Sequence, residues 1–545
     1  MTTQHYKYSE RMEDIRIAPE APDGGWGWVA VVATFTVGTI LAGYLKGIGV
    51  LLVEWQLYYD VGAKDVSWIG VAISLLTATS GPLATSLTTR YGSRSVVVCG
   101  GVVMATSLFV ASFTNALWHL YIASVFSGKY LLVQKAQRSL LGLGISLSFF
   151  PALTAIGFYF EKKVGFANGI AFSGSGLGLI IIPPFLQFLL DSLDWRRTLR
   201  IFAGCALITC LCGLVMIPTK RQKYWMRKET KKRKKSLKQN SELLQPSMRQ
   251  NESFVSGNVE NSENSPKLRK LVYSCLKFSG FHVIFENKQY RIILMVSIWT
   301  SIGSYASLVY FNARAVFDVG LSQLQASYLV SAIGIGNLIA RSSHGILLDR
   351  KWITPALMYA FTSFVSAVVI ALYPFSRCFV SLLVCAFVFG IANGPYPSLQ
   401  VMLLRDMLLP GEVSRGYGVV VFFNGFAMVV GLFAMGYLFD TTGNYNLSFY
   451  VAGATLFISG IFACFIVHHQ NQQTVESDLE NDSCNHRKAH MDADRTCTLE
   501  MVQNKEWLAQ ENVEPTNDTA DSSDECSNRI EGSRVKVDLQ YEELI

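Results

Sequence analysis

Twelve stretches of mostly apolar residues, separated by short polar loops, set the pattern of this chain. Their approximate limits are 28–51, 67–87, 95–114, 117–150, 166–190, 198–217, 291–311, 327–348, 353–373, 378–399, 416–438 and 447–467. Roughly 20 apolar helical residues cross a bilayer, and in lipid every backbone group has to bond within its own segment. The pattern therefore predicts an all-α membrane protein with twelve transmembrane helices. The second, third, seventh and ninth runs are clear, whereas the fourth and tenth carry inserted polar residues and prolines.

The polar stretches divide the chain further. Residues 1–22 form an N-terminal segment, 23–217 a first six-helix half, 218–290 a linker, 291–468 a second six-helix half, and 469–545 a tail. The linker is basic and then rich in Ser, Asn and Gln ("SLKQNSELLQPSMRQNESFVSGNVENSENSPK"), a composition that disfavours a packed core. The tail is expected to be disordered on the same ground.

Composition agrees with a membrane protein. Of 545 residues 50% are hydrophobic and 16% charged, against about a quarter charged in soluble domains. The net charge of +7 averages unlike regions: residues 220–238 hold eleven Lys or Arg and one Glu, while residues 471–545 hold eighteen Asp or Glu against seven Lys or Arg. The basic block follows directly on the sixth run, so membrane topology and anionic lipid headgroups account for it better than nucleic acid. The eleven cysteines form no CxxC pair or regular framework, which argues against disulfide and metal readings. Residues 1–22 are polar, and the first apolar run is too long for a signal-peptide core.

Basic residues in short loops orient the bundle. Arg90 and Arg94 follow span two, Lys162 and Lys163 span four, the block at 220–238 span six, and Arg350 and Lys351 span eight; Arg405 and Arg415 flank the loop after span ten. Alternating spans bring all of these to one side, which is predicted to be cytosolic with both termini. The loop after span five, "DSLDWRRTLR", opposes the bias and is outnumbered.

Two cations stand inside otherwise apolar runs: Lys46 in span one and Arg341 in span eight. A charge within a transmembrane helix costs at least ~2.5–3.5 kcal/mol, so it usually faces a partner or a water-filled pathway. Two cations with few anionic partners suggest a cavity that attracts a small anion. Snorkelling to the interface is the alternative. Lys46 is about nine residues from Trp55, ~13 Å at 1.5 Å per residue, which is long for a lysine stem; Arg341 is nearer its helix end. Tyr44 is counted with Lys46, Arg341, Asn337 and Asn168 as a substrate-binding candidate, although Tyr44, Asn393 and Asn424, as polar groups within spans, more often bond between helices. His344 is expected to be solvated near the cytosolic mouth, and Arg314 to add to an anion funnel on the outer side. No span carries paired carboxylates, a His/Asp/Ser constellation or a metal-ligand cluster, which argues against an enzyme and calls for no cofactor.

Two six-helix halves joined by a long loop match the major facilitator architecture, and "GILLDRK" (Gly345, Asp349, Arg350) resembles that superfamily's loop signature. The counterpart "TTRYGSR" keeps Gly92 and Arg94 but lacks the acid. Two further motifs, "DGGWGW" (Asp23, Gly24, Gly25, Trp26, Gly27, Trp28) and "YFEKKVGFANGIAFSGSGLG" (Tyr159 and Phe160 to Gly178), resemble the two signatures of the monocarboxylate transporter family, solute carrier family 16. The resemblance covers about residues 22–218 and 290–468. On physical grounds the first motif's glycines permit close approach or bending at the membrane entry, and its tryptophans suit the interface belt. Gly174 and Gly178, four residues apart, predict close packing of span five on a neighbour.

The resemblance implies a substrate site near the midplane between the halves, alternating access by rocking, and a plasma-membrane location. Its substrates would be small organic anions such as lactate, pyruvate or ketone bodies, carried by symport with a proton. Lys46 matches the family lysine thought to meet the carboxylate, Arg341 matches the span-eight arginine, and Asn168 matches the asparagine of the second signature. Some members also need a single-span immunoglobulin-like ancillary glycoprotein. This chain departs from the pattern at Asn337, where the family has an acid four residues before the arginine; an amide cannot ionise. The family's basic triplet is also reduced to Lys162-Lys163-Val164. Proton coupling is therefore in doubt, and facilitated diffusion, or a related substrate such as creatine, carnitine, an aromatic amino acid or an iodothyronine, stands beside it. A membrane sensor or scaffold acting through the acidic tail is the reading of another class.

Span four is anomalous. Family members run from Ser-Gly directly into Leu-Gly, whereas here Ser127-Gly128 is followed by "KYLLVQKAQRSLLG" (129–142) before "LGISLSFFP". The insert would set Lys129, Lys135 and Arg138 at mid-membrane depth and predicts a bulge or break. Gly128-Lys129-Tyr130 can be encoded with a splice-donor-like GTAAGTAT, so the segment reads as a retained intron or a gene-prediction artefact; an open reading frame through it in the major transcript would refute this.

Overall fold

Among the described residues, the apolar runs become helices that end where polar or ring-closed residues can satisfy or forgo the terminal N–H groups. Ser322 caps span eight by accepting from the Gln325 N–H at 3.2 Å while Gln325 Oε1 accepts from the Ser322 N–H at 3.2 Å, a reciprocal capping box. Asn287 Oδ1 accepts from the N–H groups of Gln289 (2.9 Å) and Tyr290 (3.3 Å) to start span seven. Thr354 caps span nine, with Pro355 at its first position, where a missing N–H does no harm.

The computed structural model describes residues 17–59, 63–113, 132–231, 234, 279–470 and 472, almost all of them helical. Span one is Trp26–Tyr59, span two Ala63–Thr79 and Gly81–Tyr91, span three Ser93–Ala111, span four Leu132–Tyr159, span five Val164–Ser192 and span six Trp195–Val215. Span seven is Lys288–Phe317, span eight Gln323–Asp349, span nine Pro355–Leu372, span ten Phe379–Asn393 and Tyr396–Met407, span eleven Pro410–Thr442 and span twelve Asn446–Gln470. Among the described residues, ten helices are long and apolar enough to cross a membrane, and the pair in span two, bent by 41° at Ser80-Gly81-Pro82, makes an eleventh if counted as one span. Span eight falls below that hydropathy because it carries Asn337, Arg341, Ser342, Ser343 and His344, and it packs against protein, between spans five and ten. The acidic tail and residues 235–278 of the linker lie outside the described residues.

Span five is the hinge-pin of the packing. One face carries Gly174 and Gly178, where any Cβ would collide with the Phe35 and Thr39 carbonyls of span one. Thr39 Oγ1 also donates to the Gly174 carbonyl at 3.0 Å. The opposite face carries Gly165 and Gly169, pressed on Gly345 and the Arg341 backbone of span eight. Small residues thus let one helix lie within backbone contact of two neighbours. A second seam joins span two to span eleven, where Gly418 rests on Gly81 and Thr85.

The two signatures close into one cluster. The Asp23 N–H donates to the Tyr159 carbonyl (3.0 Å), and Asp23 Oδ1 accepts from the N–H groups of Glu161 (2.7 Å), Lys162 (2.9 Å) and Lys163 (3.4 Å). Asp23 holds a left-handed backbone (φ 49°) to do so. Trp28 turns inward onto Phe160, ring centroids 5.0 Å apart, rather than serving as an interface anchor; Trp26 stays exposed and donates from Nε1 to the Val215 carbonyl at 2.8 Å. The tryptophans therefore have different tasks, which the interface-belt reading merged.

Two further expectations need amendment. The linker begins with an ordered helix over residues 220–231 that buries Arg221, Gln222 and Trp225; its apolar side chains find a surface that composition alone does not reveal. The described part of the span-four insert, from Leu132, runs to Tyr159 as one helix without a break, with Gly142 against Ile73, Leu76 and Thr77 of span two. Residues 129–131 lie outside the described residues.

Candidate functional site

Arg341 lies where span eight crosses span five and the interruption in span ten. Its Nε donates to the Gly394 carbonyl at 2.7 Å, exposed by the break before Pro395. Its Nη1 donates to the Phe172 carbonyl at 3.2 Å and to Ser175 Oγ. All three acceptors are neutral, and no carboxylate pairs with Arg341 or Lys46 among the described residues. The Nη2 group has no acceptor among the described residues and is not sealed from solvent. A guanidinium offers five N–H donors in a planar fork. Here three are tied to fixed acceptors, which sets the plane, and two are left for a ligand.

Asn337, one helical turn earlier on the same face, is buried against the backbone of Gly394, and its Oδ1 has no donor among the described residues. Asn168 is likewise buried with an unmatched Oδ1. It shares a face of span five with Phe172 and Ser175, the residues that hold Arg341. Two of the predicted residues thus gather around the Arg341 end of the seam.

Lys46 lies elsewhere. It is exposed, and its Nζ rests 4.2 Å from the ring centroid of Tyr305 on span seven. Span one starts on the face of the bundle that carries the loops after spans two, four and eight, and Asp349 ends span eight on that same face. Twenty residues from Trp26 put Lys46 ~30 Å along its helix, while eight residues from Asp349 put Arg341 only ~12 Å in. The cations are therefore about three turns apart along the bundle, with Tyr305 between: its phenol is within electrostatic reach of Arg341 and of Tyr417.

Several expectations are corrected. Tyr44 is 1% exposed and packs on Phe202 at 5.6 Å inside the core of the first six spans, away from the seam. Arg314 is 3% exposed, donates from Nη2 to the Pro374 carbonyl (2.6 Å) and stacks on Tyr373; it clamps the chain between spans nine and ten and adds nothing to a funnel. His344 is buried, not solvated. Its Nδ1 lies 3.0 Å from the Ala340 carbonyl and its Nε2 2.7 Å from Ser398 Oγ, a pairing met by the neutral Nδ1–H tautomer. Asn424 bonds between helices as expected, its amide donating to the Ser297 carbonyl at 3.2 Å once its O and N are assigned to fit the surrounding donors and acceptors.

Residue identity did not point to Tyr305, Ser175 or the Gly394 carbonyl. Backbone acceptors leave no trace in a sequence, and a tyrosine or serine in an apolar helix is unexceptional. Asp349 was visible in "GILLDRK", but its partners were not. Its Oδ1 accepts from the Gly165 N–H at 2.7 Å and its Oδ2 from the Phe166 N–H at 2.8 Å, so a carboxylate ending span eight caps the N-terminus of span five.

The family model described as the Major Facilitator Superfamily matches residues 28–376 and 292–490. Monocarboxylate transporter 1 of Mus musculus is 30% identical over 445 residues, 81% of this chain and 84% of that protein. Monocarboxylate transporter 12 of Xenopus laevis is 28% identical over 447 residues, 81% and 88% of the two chains. Among solved structures, the E. coli fucose:proton symporter superposes with a TM-score of 0.53 at 14% identity, covering 80% of this chain and 98% of that one. The proton:xylose symporter gives 0.57 at 16% identity, covering 80% and 95%; likeness at that identity speaks for the fold alone. The sequence matches together with the twelve-span helical fold show that this chain belongs to the monocarboxylate transporter family of the major facilitator superfamily.

Proposed function

We propose that this protein carries small monocarboxylates of the lactate and pyruvate class across the plasma membrane by alternating access, without a span-eight carboxylate to couple a proton. The observation that carries this reading is Arg341, fixed by three neutral acceptors and left with its Nη2 donors free. Such a group attracts a carboxylate and has no internal anion to displace. Lys46, farther along the seam, meets the anion first on its way in from the opposite face.

The polar ties between the first six spans and the last six gather on the face of the basic loops: Asp349 to Gly165 and Phe166, Thr154 Oγ1 to Ser414 Oγ at 3.1 Å, and Arg415 Nε to Thr89 Oγ1 at 3.2 Å. Taking that face as cytosolic, these contacts support a carrier closed inside with Lys46 exposed toward the exterior. The two bundles, 23–217 and 291–468, would rock about this seam.

Labelled-lactate uptake in cells at two external pH values tests the reading. Lys46→Ala and Arg341→Gln should each abolish uptake while surface expression is kept; unchanged uptake by Lys46→Ala would count heavily against it. One observation favours a second reading. The unmatched Oδ1 atoms of Asn337 and Asn168 invite a donor, so a substrate bearing an amine or hydroxyl beside its carboxylate fits the same site. A panel that includes creatine and carnitine decides between them.

A further inference from the structure

We infer that Tyr305 is the positioning residue of the carrier's outer binding step: its ring holds the Lys46 ammonium at the seam until a substrate carboxylate takes it. The inference rests on the anion reading above, but its geometry stands by itself. Lys46 is on span one and Tyr305 on span seven, so the contact crosses between the first six spans and the last six. The Nζ lies 4.2 Å from the ring centroid, well inside the range where a ring's quadrupole attracts a cation. No carboxylate competes for the ammonium among the described residues. Tyr305 is itself 38% exposed and Lys46 is exposed, so the pair is reachable by a small molecule.

The chemistry suits a resting partner. A carboxylate beside Lys46 would have to be displaced or protonated before an anion could bind, whereas a ring face yields to a carboxylate without a change of charge. An aromatic clamp also keeps a four-carbon stem from snorkelling to the interface, which would remove the cation from the path. Tyr305, whose phenol is within electrostatic reach of Arg341, stands on span seven between the two cations that the substrate would visit in turn.

The first readout needs no substrate. Purified carrier in detergent, accessible from both ends, is exposed to a small amine-reactive reagent, and modification at Lys46 is followed by peptide mass spectrometry. Tyr305→Leu should raise the initial rate at Lys46 roughly two- to fivefold, the factor a cation–π contact at a half-open site supplies. Tyr305→Phe, which keeps the ring, should restore slow modification. Lactate uptake by Tyr305→Leu should then show its loss in KM rather than in the maximal rate per carrier at the surface. Equal labelling of Tyr305→Leu and the parent, each monodisperse on gel filtration, overturns the inference. Should the leucine variant not fold, Tyr305→Gln carries the same comparison. If labelling responds as expected while no variant or parent moves lactate, the clamp stands and the substrate assignment falls.

Discussion

At the scale of single residues, the departure at position 337 decides most. An acid four residues before an arginine would neutralise it in the empty carrier; here Arg341 leans on the carbonyls of Gly394 and Phe172 and on Ser175 instead. Asn337→Asp should therefore do two things. It should introduce a titratable group beside Arg341 and so steepen the pH dependence of lactate uptake, and it should slow uptake at neutral pH by occupying the guanidinium. Uptake at two external pH values measures both, and an unchanged pH ratio would reject the account of lost coupling. Arg341→Lys should fare little better than Arg341→Gln, with uptake down at least about tenfold, because an ammonium cannot hold Gly394, Phe172 and a ligand in one plane. The two cations were legible in the sequence because a charge in an apolar run stands out. Their partners were not, since those are backbone carbonyls, one serine and a ring. Tyr44 misled for the converse reason: a polar tip in a span looks like a site residue, yet its ring is core.

At the scale of helices, span five is squeezed between spans one and eight, and its glycines set how close they come. A Cβ at Gly174 would strike the Phe35 carbonyl, a backbone atom that cannot rotate away. Gly174→Ala should destabilise by about 1–3 kcal/mol, the usual range for overpacking, and lower the Tm of the purified carrier. Gly24→Ala is the matched control: a Cβ there meets nothing within 4 Å, so Tm should not move although both glycines belong to signatures. The sequence disclosed the four-residue glycine spacing and hence close packing, but not that a second glycine face, Gly165 and Gly169, serves span eight. It likewise disclosed two signatures without showing that they meet through Asp23. That contact joins residues 138 apart or more in the chain and depends on three backbone N–H groups, which no side-chain pattern encodes.

At the scale of the whole molecule, the helix at residues 220–231 ties the two sets of six spans together. On one side Arg221 pairs with Glu161 at 2.5 Å and Gln222 Nε2 donates to Ser93 Oγ at 3.0 Å. On the other, Glu229 Oε1 accepts from Arg415 Nη2 at 2.8 Å, and Trp225 packs with Leu409 and Gly411. The Arg221 hydrogen bond to Glu161 holds that carboxyl below the ordinary glutamate range. A lowered folded-state value means the pair stabilises the protein above the unfolded glutamate range, and that support is lost as pH falls through the lowered value. Acid should accordingly reduce Tm less in Glu161→Gln than in the parent. For the bridge itself, the alternating access proposed above requires Glu229 and Arg415 to part in every cycle, and although Arg415 is buried, the Glu229 carboxylate stays partly open to water that can take over its hydrogen bonds. Glu229→Arg should lower the share of carriers closed on this face and raise the KM for external lactate severalfold, since apparent affinity scales with the binding-competent fraction. Arg415→Glu should do the same, and the double reversal should recover most of the loss if the pair acts as a tie. If the double variant is no better than the singles, the two residues serve only their own sides, and the closed face rests on Asp349, Thr154 and the Thr89 contact without the linker.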